Sequence, residues 1–172
     1  RPACSSAWRP MLTRAGELTL TRSLENGLLT GTTLGRVIDS HDYSAFADET
    51  SYVARVDSSE VFRVDVPTDA LDPGRDRAGR ILRRVETIGG ETTTWRYTYD
   101  AAGRLRDVTR NGEFWSHYEY DANGNRVLAS VTWPGARTVS ALHDEQDRLL
   151  ASGDTGFTYT ANGELRTKTE NG

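Results

Sequence analysis

An all-β fold built from repeating antiparallel β-hairpins is predicted by three observations. First, the string Tyr97-Thr98-Tyr99-Asp100-Ala101-Ala102-Gly103-Arg104-Leu105 returns as Tyr118-Glu119-Tyr120-Asp121-Ala122-Asn123-Gly124-Asn125-Arg126. Second, the residues ahead of each turn alternate with period two, the pattern of a half-buried strand. Third, 16 glycines and abundant Thr, Val and Tyr favour turns and strands over helices.

One repeat reads as two strands and two turns. Trp95, Tyr97 and Tyr99 share one phase, against Arg96 and Thr98. Phe114, Ser116, Tyr118 and Tyr120 share another, against Trp115, His117 and Glu119. Each strand runs into Asp-x-x-Gly. The Asp carboxylate can accept backbone N–H groups just ahead, and Gly accepts positive φ without a Cβ clash. Return strands follow over 105–109 and 127–132, and Asn111-Gly112 is a strong signal for the second, tighter turn. Asn26-Gly27 and Asn171-Gly172 are candidates for the same role.

Weaker copies extend the series. Leu142-His143-Asp144-Glu145-Gln146-Asp147-Arg148-Leu149 has Asp147 at the glycine position, and Phe157-Thr158-Tyr159-Thr160-Ala161-Asn162-Gly163 has Thr160 at the aspartate position. Asp76-Arg77-Ala78-Gly79-Arg80-Ile81 keeps the turn without tyrosines. Gly16 and Gly35 are read as eroded copies, and the spacing places another at 56–61, around Asp57. The whole chain, 1–172, is thus expected to be one array, degenerate over 1–75 and clearer over 76–172. One such hairpin cannot bury its aromatic face alone, so neighbours must stack. Tyr97, Tyr118 and Phe157 are expected to align in ladders, with Asp100, Asp121 and Asp144 along one rim.

Composition narrows the function classes. The mean hydropathy is −0.62, low for a folded chain and suited to a sheet with one wet face. The net charge is −4 and no basic stripe is visible, so a nucleic-acid partner is not expected. The lone Cys4 cannot form an intrachain disulfide. No apolar stretch approaches the ~20 residues of a membrane span. The start at Arg1 and the turn-like end at Asn171-Gly172 suggest a piece of a longer polypeptide.

The repeated Tyr-x-Tyr-Asp-x-x-Gly-Arg-Leu string resembles the YD or RHS repeat family, closely over 95–126 and moderately over 76–82 and 142–165. That family includes bacterial RHS polymorphic toxins, C components of insecticidal toxin complexes, and teneurins. The resemblance implies a spiralling YD-repeat sheet or shell segment, secreted or at the cell surface, that scaffolds or encapsulates a toxin cargo. On this reading Tyr97, Tyr99, Asp100, Gly103, Tyr118, Tyr120, Asp121, Gly124, Tyr159 and Gly163 are structural repeat residues. The implied partners are the rest of the polypeptide, or neighbouring copies through sheet edges.

No enzyme reading emerges. An active site needs one constellation, and the carboxylates here recur because the turn recurs. His41, His117 and His143 have no ligand-spaced partners, and no metal or cofactor is expected. Asp39, Asp42, Asp48 and Glu49 form an acidic patch around Tyr43 and Phe46, read as a solvated loop rather than a calcium site. Asp72-Pro73 resembles the self-cleaving Asp-Pro of RHS cores, but repeats continue downstream and Pro-Gly commonly marks a turn. Two alternatives stand: a filament subunit joined through open edges, and a carbohydrate- or receptor-binding module. In the second, Trp115 and Trp133 stack on a surface glycan or other ligand.

Overall fold

The computed structural model describes residues 11–170, so Cys4 and the Asn171-Gly172 turn lie outside the described residues. Every regular element in this span is a strand. The strands are β1 Arg14–Ala15, β2 Leu18–Arg22, β3 Leu29–Leu34, β4 Val37–Tyr43, β5 Glu49–Val56, β6 Ser59–Asp65, β7 Arg83–Ile88 and β8 Glu91–Tyr99. They continue with β9 Leu105–Arg110, β10 Glu113–Tyr120, β11 Arg126–Val131, β12 Arg137–His143, β13 Leu149–Ser152, β14 Thr155–Tyr159 and β15 Leu165–Glu170. Strand order follows chain order from β1 to β15 in one sheet. The chain divides into two compact units, one ending at Thr94 and the other beginning at Trp95. No helix of the described residues is long and apolar enough to cross a membrane.

Two kinds of turn alternate, as the repeat predicts, but Gly16, Gly35 and Asp57 serve the opposite kind from the one expected. Gly16, Gly35 and Asp57 are not in Asp-x-x-Gly turns. Each opens a two-residue hairpin, at Ala15↔Leu18, Leu34↔Val37 and Val56↔Ser59. The broad turns of these strands are 23–28 and 44–48, so Asn26-Gly27 belongs to the broad rim and not the tight one. The physical reason is that both turns need a residue at positive φ. Gly16 has φ +64° and Gly27 φ +75°, and glycine alone does not say which turn it serves.

The aromatic ladder also differs from expectation. A return strand lies between successive tyrosine strands, so Tyr97 faces Val108 and Tyr118 faces Ala129. Strands sit about 4.8 Å apart, which puts the tyrosines of neighbouring repeats two spacings from one another. Aromatic rows therefore alternate with aliphatic ones.

The sheet has little core. Among the described residues only Gly31, Val53, Val66, Gly74, Val108 and Ser116 are buried. Gly74 organises the long connection before β7. A Cβ there would meet the Pro67 carbonyl oxygen at 2.5 Å, and its own carbonyl accepts Leu82 and Arg83 N–H groups at 2.7 and 3.2 Å.

Candidate functional site

The most developed chemistry lies on the broad rim. In six turns, the N–H of the first residue donates to the carbonyl of the fifth, and the N–H of the fourth donates to the carbonyl of the first. These are 44–48, 76–80, 100–104, 121–125, 144–148 and 160–164. The first side chain closes the turn. Asp100 Oδ1 accepts Ala102 and Arg104 N–H groups at 3.0 and 2.8 Å, and Oδ2 accepts Arg104 Nε at 2.7 Å. Asp76 and Asp144 do the same with Arg80 and Arg148, and Asp121 does so with Asn125. The backbone N–H of Arg104 and the guanidinium of Arg148 are the leading causes that hold Asp100 and Asp144 below the usual carboxylate range. Ser44 and Thr160 use hydroxyls instead. Gly103, Gly124 and Gly163 sit at φ +82°, +96° and +86°, and Asp147 and Ala47 take the same role at +62° and +64°.

At four repeats a seam fastens the repeat to the one before it. The residue just ahead of the turn donates to the first carbonyl of the previous return strand. Tyr120 reaches Leu105 at 2.9 Å, Tyr159 reaches Leu149 at 2.8 Å and Tyr43 reaches Leu29 at 2.7 Å. Where the tyrosine is lost, Arg75 Nη2 takes its place and reaches the Glu49 carbonyl at 3.2 Å. The fifth turn residue covers the incoming ring: the Arg104 guanidinium lies 4.7 Å from the Tyr120 centroid and Arg148 lies 5.2 Å from Tyr159.

Tyr43 identifies a repeat that sequence reading missed. Ser44 and Ala47 replace the signature Asp and Gly, so only the tyrosine and the spacing remained as signals. The acidic patch dissolves accordingly. Asp48 is the fifth residue of this turn, Asp39 accepts Thr32 Oγ1 at 2.6 Å, and Glu49 pairs with His41 Nδ1 at 2.5 Å. No metal-holding group of three or more His, Cys, Asp or Glu occurs among the described residues.

A second cluster arises from register. Thr98, Asp107 and His117 lie opposite one another on β8, β9 and β10. Asp107 accepts Thr98 Oγ1 at 2.7 Å and Arg106 Nε at 2.8 Å, and its other oxygen meets His117 Nδ1 at 2.6 Å. His117 Nε2 meets Glu119 at 3.3 Å. The His117 bond is the largest cause that holds Asp107 far below its ordinary value, and Asp107, then Glu119, raise the His117 pKa. The spacing of the two residues in sequence concealed a contact that strand pairing creates.

The two tryptophans part company. A register shift between Phe114 and Ser116 turns Trp115 against Trp95, edge to face at 5.2 Å, with the Arg110 guanidinium over both rings. Trp115 is therefore half-buried and is not the exposed ring its phase suggested. Trp133 is 69% exposed, in the 132–136 connection. Asp72 is held by Arg83, which contacts its carboxylate at 3.1 Å and its carbonyl at 2.8 Å.

These features define a class: an antiparallel repeat sheet whose rim turns are self-closing and stitched to one another. The comparisons name it. The family described as Teneurin YD-shell matches residues 9–171, so the chain belongs to that YD-repeat family. Teneurin-4 of Homo sapiens is 36% identical over 95 residues, covering 53% of this chain and 3% of that protein. The probable deoxyribonuclease RhsA of Dickeya dadantii is 46% identical over 54 residues, covering 30% of this chain and 4% of that protein. The chain thus spans only a few per cent of these relatives' length. A solved Photorhabdus luminescens Tc holotoxin pore aligns over 88% of this chain and 12% of its own, at 10% identity and a TM-score of 0.28.

Proposed function

We propose that this segment is wall material of an extracellular or cell-surface YD shell, and that the polypeptide carrying it encloses a toxin cargo. The observation that supports the reading is the seam. The same side chain-to-carbonyl bond recurs at Tyr43, Arg75, Tyr120 and Tyr159, so the polar chemistry serves continuity from repeat to repeat. The rim carboxylates of Asp76, Asp100, Asp121 and Asp144 are engaged in closing their own turns. On this reading Asp100, Gly103, Asp121, Gly124 and Gly163 serve as turn formers, Tyr120 and Tyr159 as seam residues, and Tyr97, Tyr99 and Tyr118 as aromatic repeat residues of the sheet. The partner is the rest of the same polypeptide, met through the strand edges of the sheet.

The test is protease protection in the full-length polypeptide. A shell predicts that segments outside the repeats resist digestion, and that Gly103→Val with Gly124→Val makes them sensitive by opening the wall. Equal digestion with and without the substitutions would overturn the reading.

A further inference from the structure

Within 95–170 the array departs from its own pattern at the junction before the 144–148 turn. The position three residues before the broad turn holds Tyr97, Tyr118 and Phe157 in the other repeats of this stretch, but Ala141 here. The position just before the turn holds Tyr99, Tyr120 and Tyr159, but His143 here. His143 does not close the seam: its Nδ1 is buried with no partner. The neighbouring turn changes in step. Asn125 replaces the arginine that would cover a ring, and Asp147 replaces glycine. The Asp147 carboxylate takes the Asn123 and Asn125 amides at 2.8 and 2.7 Å. The junction is thus held by another means while two aromatic side chains are missing from the sheet face.

The missing rings leave a groove of about 1060 Å3 across β10 to β14, lined by Tyr118, Arg126, Arg137, Val139, Ala141 and His143 among others. Small-molecule pockets run to roughly 300–1,000 Å3 and are enclosed, whereas this groove lies open along five strands. Five strands span ~19 Å, the reach of about six extended residues. Its charge is the second observation. Arg104, Arg106 and Arg148 each meet a carboxylate. Arg126 lies only over the Tyr118 ring, and neither it nor Arg137 meets a carboxylate among the described residues. Asp154, in the tight turn 153–154, is the lone acidic side chain of the lining.

We propose that this groove docks an extended acidic peptide segment, its carboxylates paired with Arg126 and Arg137 and its backbone lying where the two rings are absent. Arginine suits the role because its planar fork pairs carboxylates in a fixed geometry. The inference rests on the reading that the sheet meets other polypeptide. A failed peptide titration would leave the protease-protection result standing, so the two ideas fail separately.

The test is fluorescence anisotropy of the purified chain with a fluorescein-labelled peptide of alternating Glu and Val, beside its Lys–Val counterpart. Saturable binding of the Glu peptide is expected, weakened by salt. Binding should fall about tenfold in Arg126→Gln/Arg137→Gln, since paired charges carry the affinity. Ala141→Tyr refills the gap while keeping both arginines, and should weaken binding comparably. Arg137→Gln alone guards against a folding artefact, because Arg137 has no ionic partner to lose. No saturable binding, equal binding of the Lys peptide, or an unmoved double variant would each overturn the proposal.

Discussion

Replacing Tyr120 by Phe deletes one oxygen at the point where one repeat is fastened to the next. The hydroxyl donates to the Leu105 carbonyl at 2.9 Å, and the half-buried ring keeps the Arg104 guanidinium 4.7 Å from its centroid. Packing and the cation–π contact therefore survive, and the change isolates the seam bond. A net hydrogen bond is worth about 1 kcal/mol, rising toward ~2 if the abandoned carbonyl stays dry. With a urea slope of roughly 1–3 kcal/mol per molar, the midpoint should fall by about 0.5 M. Heating should show a loss of about 2–4 °C. Urea unfolding followed by tryptophan fluorescence suits the test, because Trp95 and Trp115 pack together in the same repeats. Tyr159→Phe should cost a similar amount, since its bond to Leu149 is 2.8 Å. A loss below ~0.3 kcal/mol in both variants would mean that the hydroxyls meet those carbonyls incidentally, and the seam argument would collapse.

Further outcomes follow from the same geometry. Gly103→Val forces a β-branched residue to φ +82° and should destabilise by roughly 1–3 kcal/mol; unchanged thermal stability would refute the turn assignment. Asp147→Ala keeps φ near +62° but loses both amide partners, so it should cost about 1–2 kcal/mol by chemical denaturation, whereas Asp147→Gly should be nearly neutral because relief of strain offsets the loss. His143→Tyr should raise the midpoint by supplying the missing seam bond to the Arg126 carbonyl, and a nuclear magnetic resonance or crystal structure of the variant would show whether it forms. The His117 pKa is raised above 6.5, so its pairing with Asp107 stabilises fully below that value and fades as pH rises through the folded-state value. The unfolding midpoint should therefore drop as pH rises from 6.5 through the raised folded-state value, and His117→Gln should flatten that drop.

The fold class, the hairpin repeat and the C-terminal broad turns were legible because their signals are local. Asp accepts backbone N–H groups two and four residues ahead, and glycine takes a φ other residues avoid, so Asp100 to Gly103 and Asp121 to Gly124 declare themselves in any context. The same locality misled the reading of the first half. Gly16 and Gly35 mark turns correctly but on the opposite rim, and Ser44 and Ala47 perform the broad turn without its signature residues. Trp115, read as an exposed ring, packs half-buried against Trp95 because the register shifts between Phe114 and Ser116.

What the sequence determined by itself is the alternation of strand and turn, since period-two patterning and turn chemistry act over a few residues. Only the tertiary structure decided which residues meet across strands. It set Tyr120 against the Leu105 carbonyl, Thr98, Asp107 and His117 in one row, and Arg126 and Arg137 around a gap in the aromatic face. Those contacts depend on register and bulges, which are set by the pairing of whole strands and leave no mark at any single position.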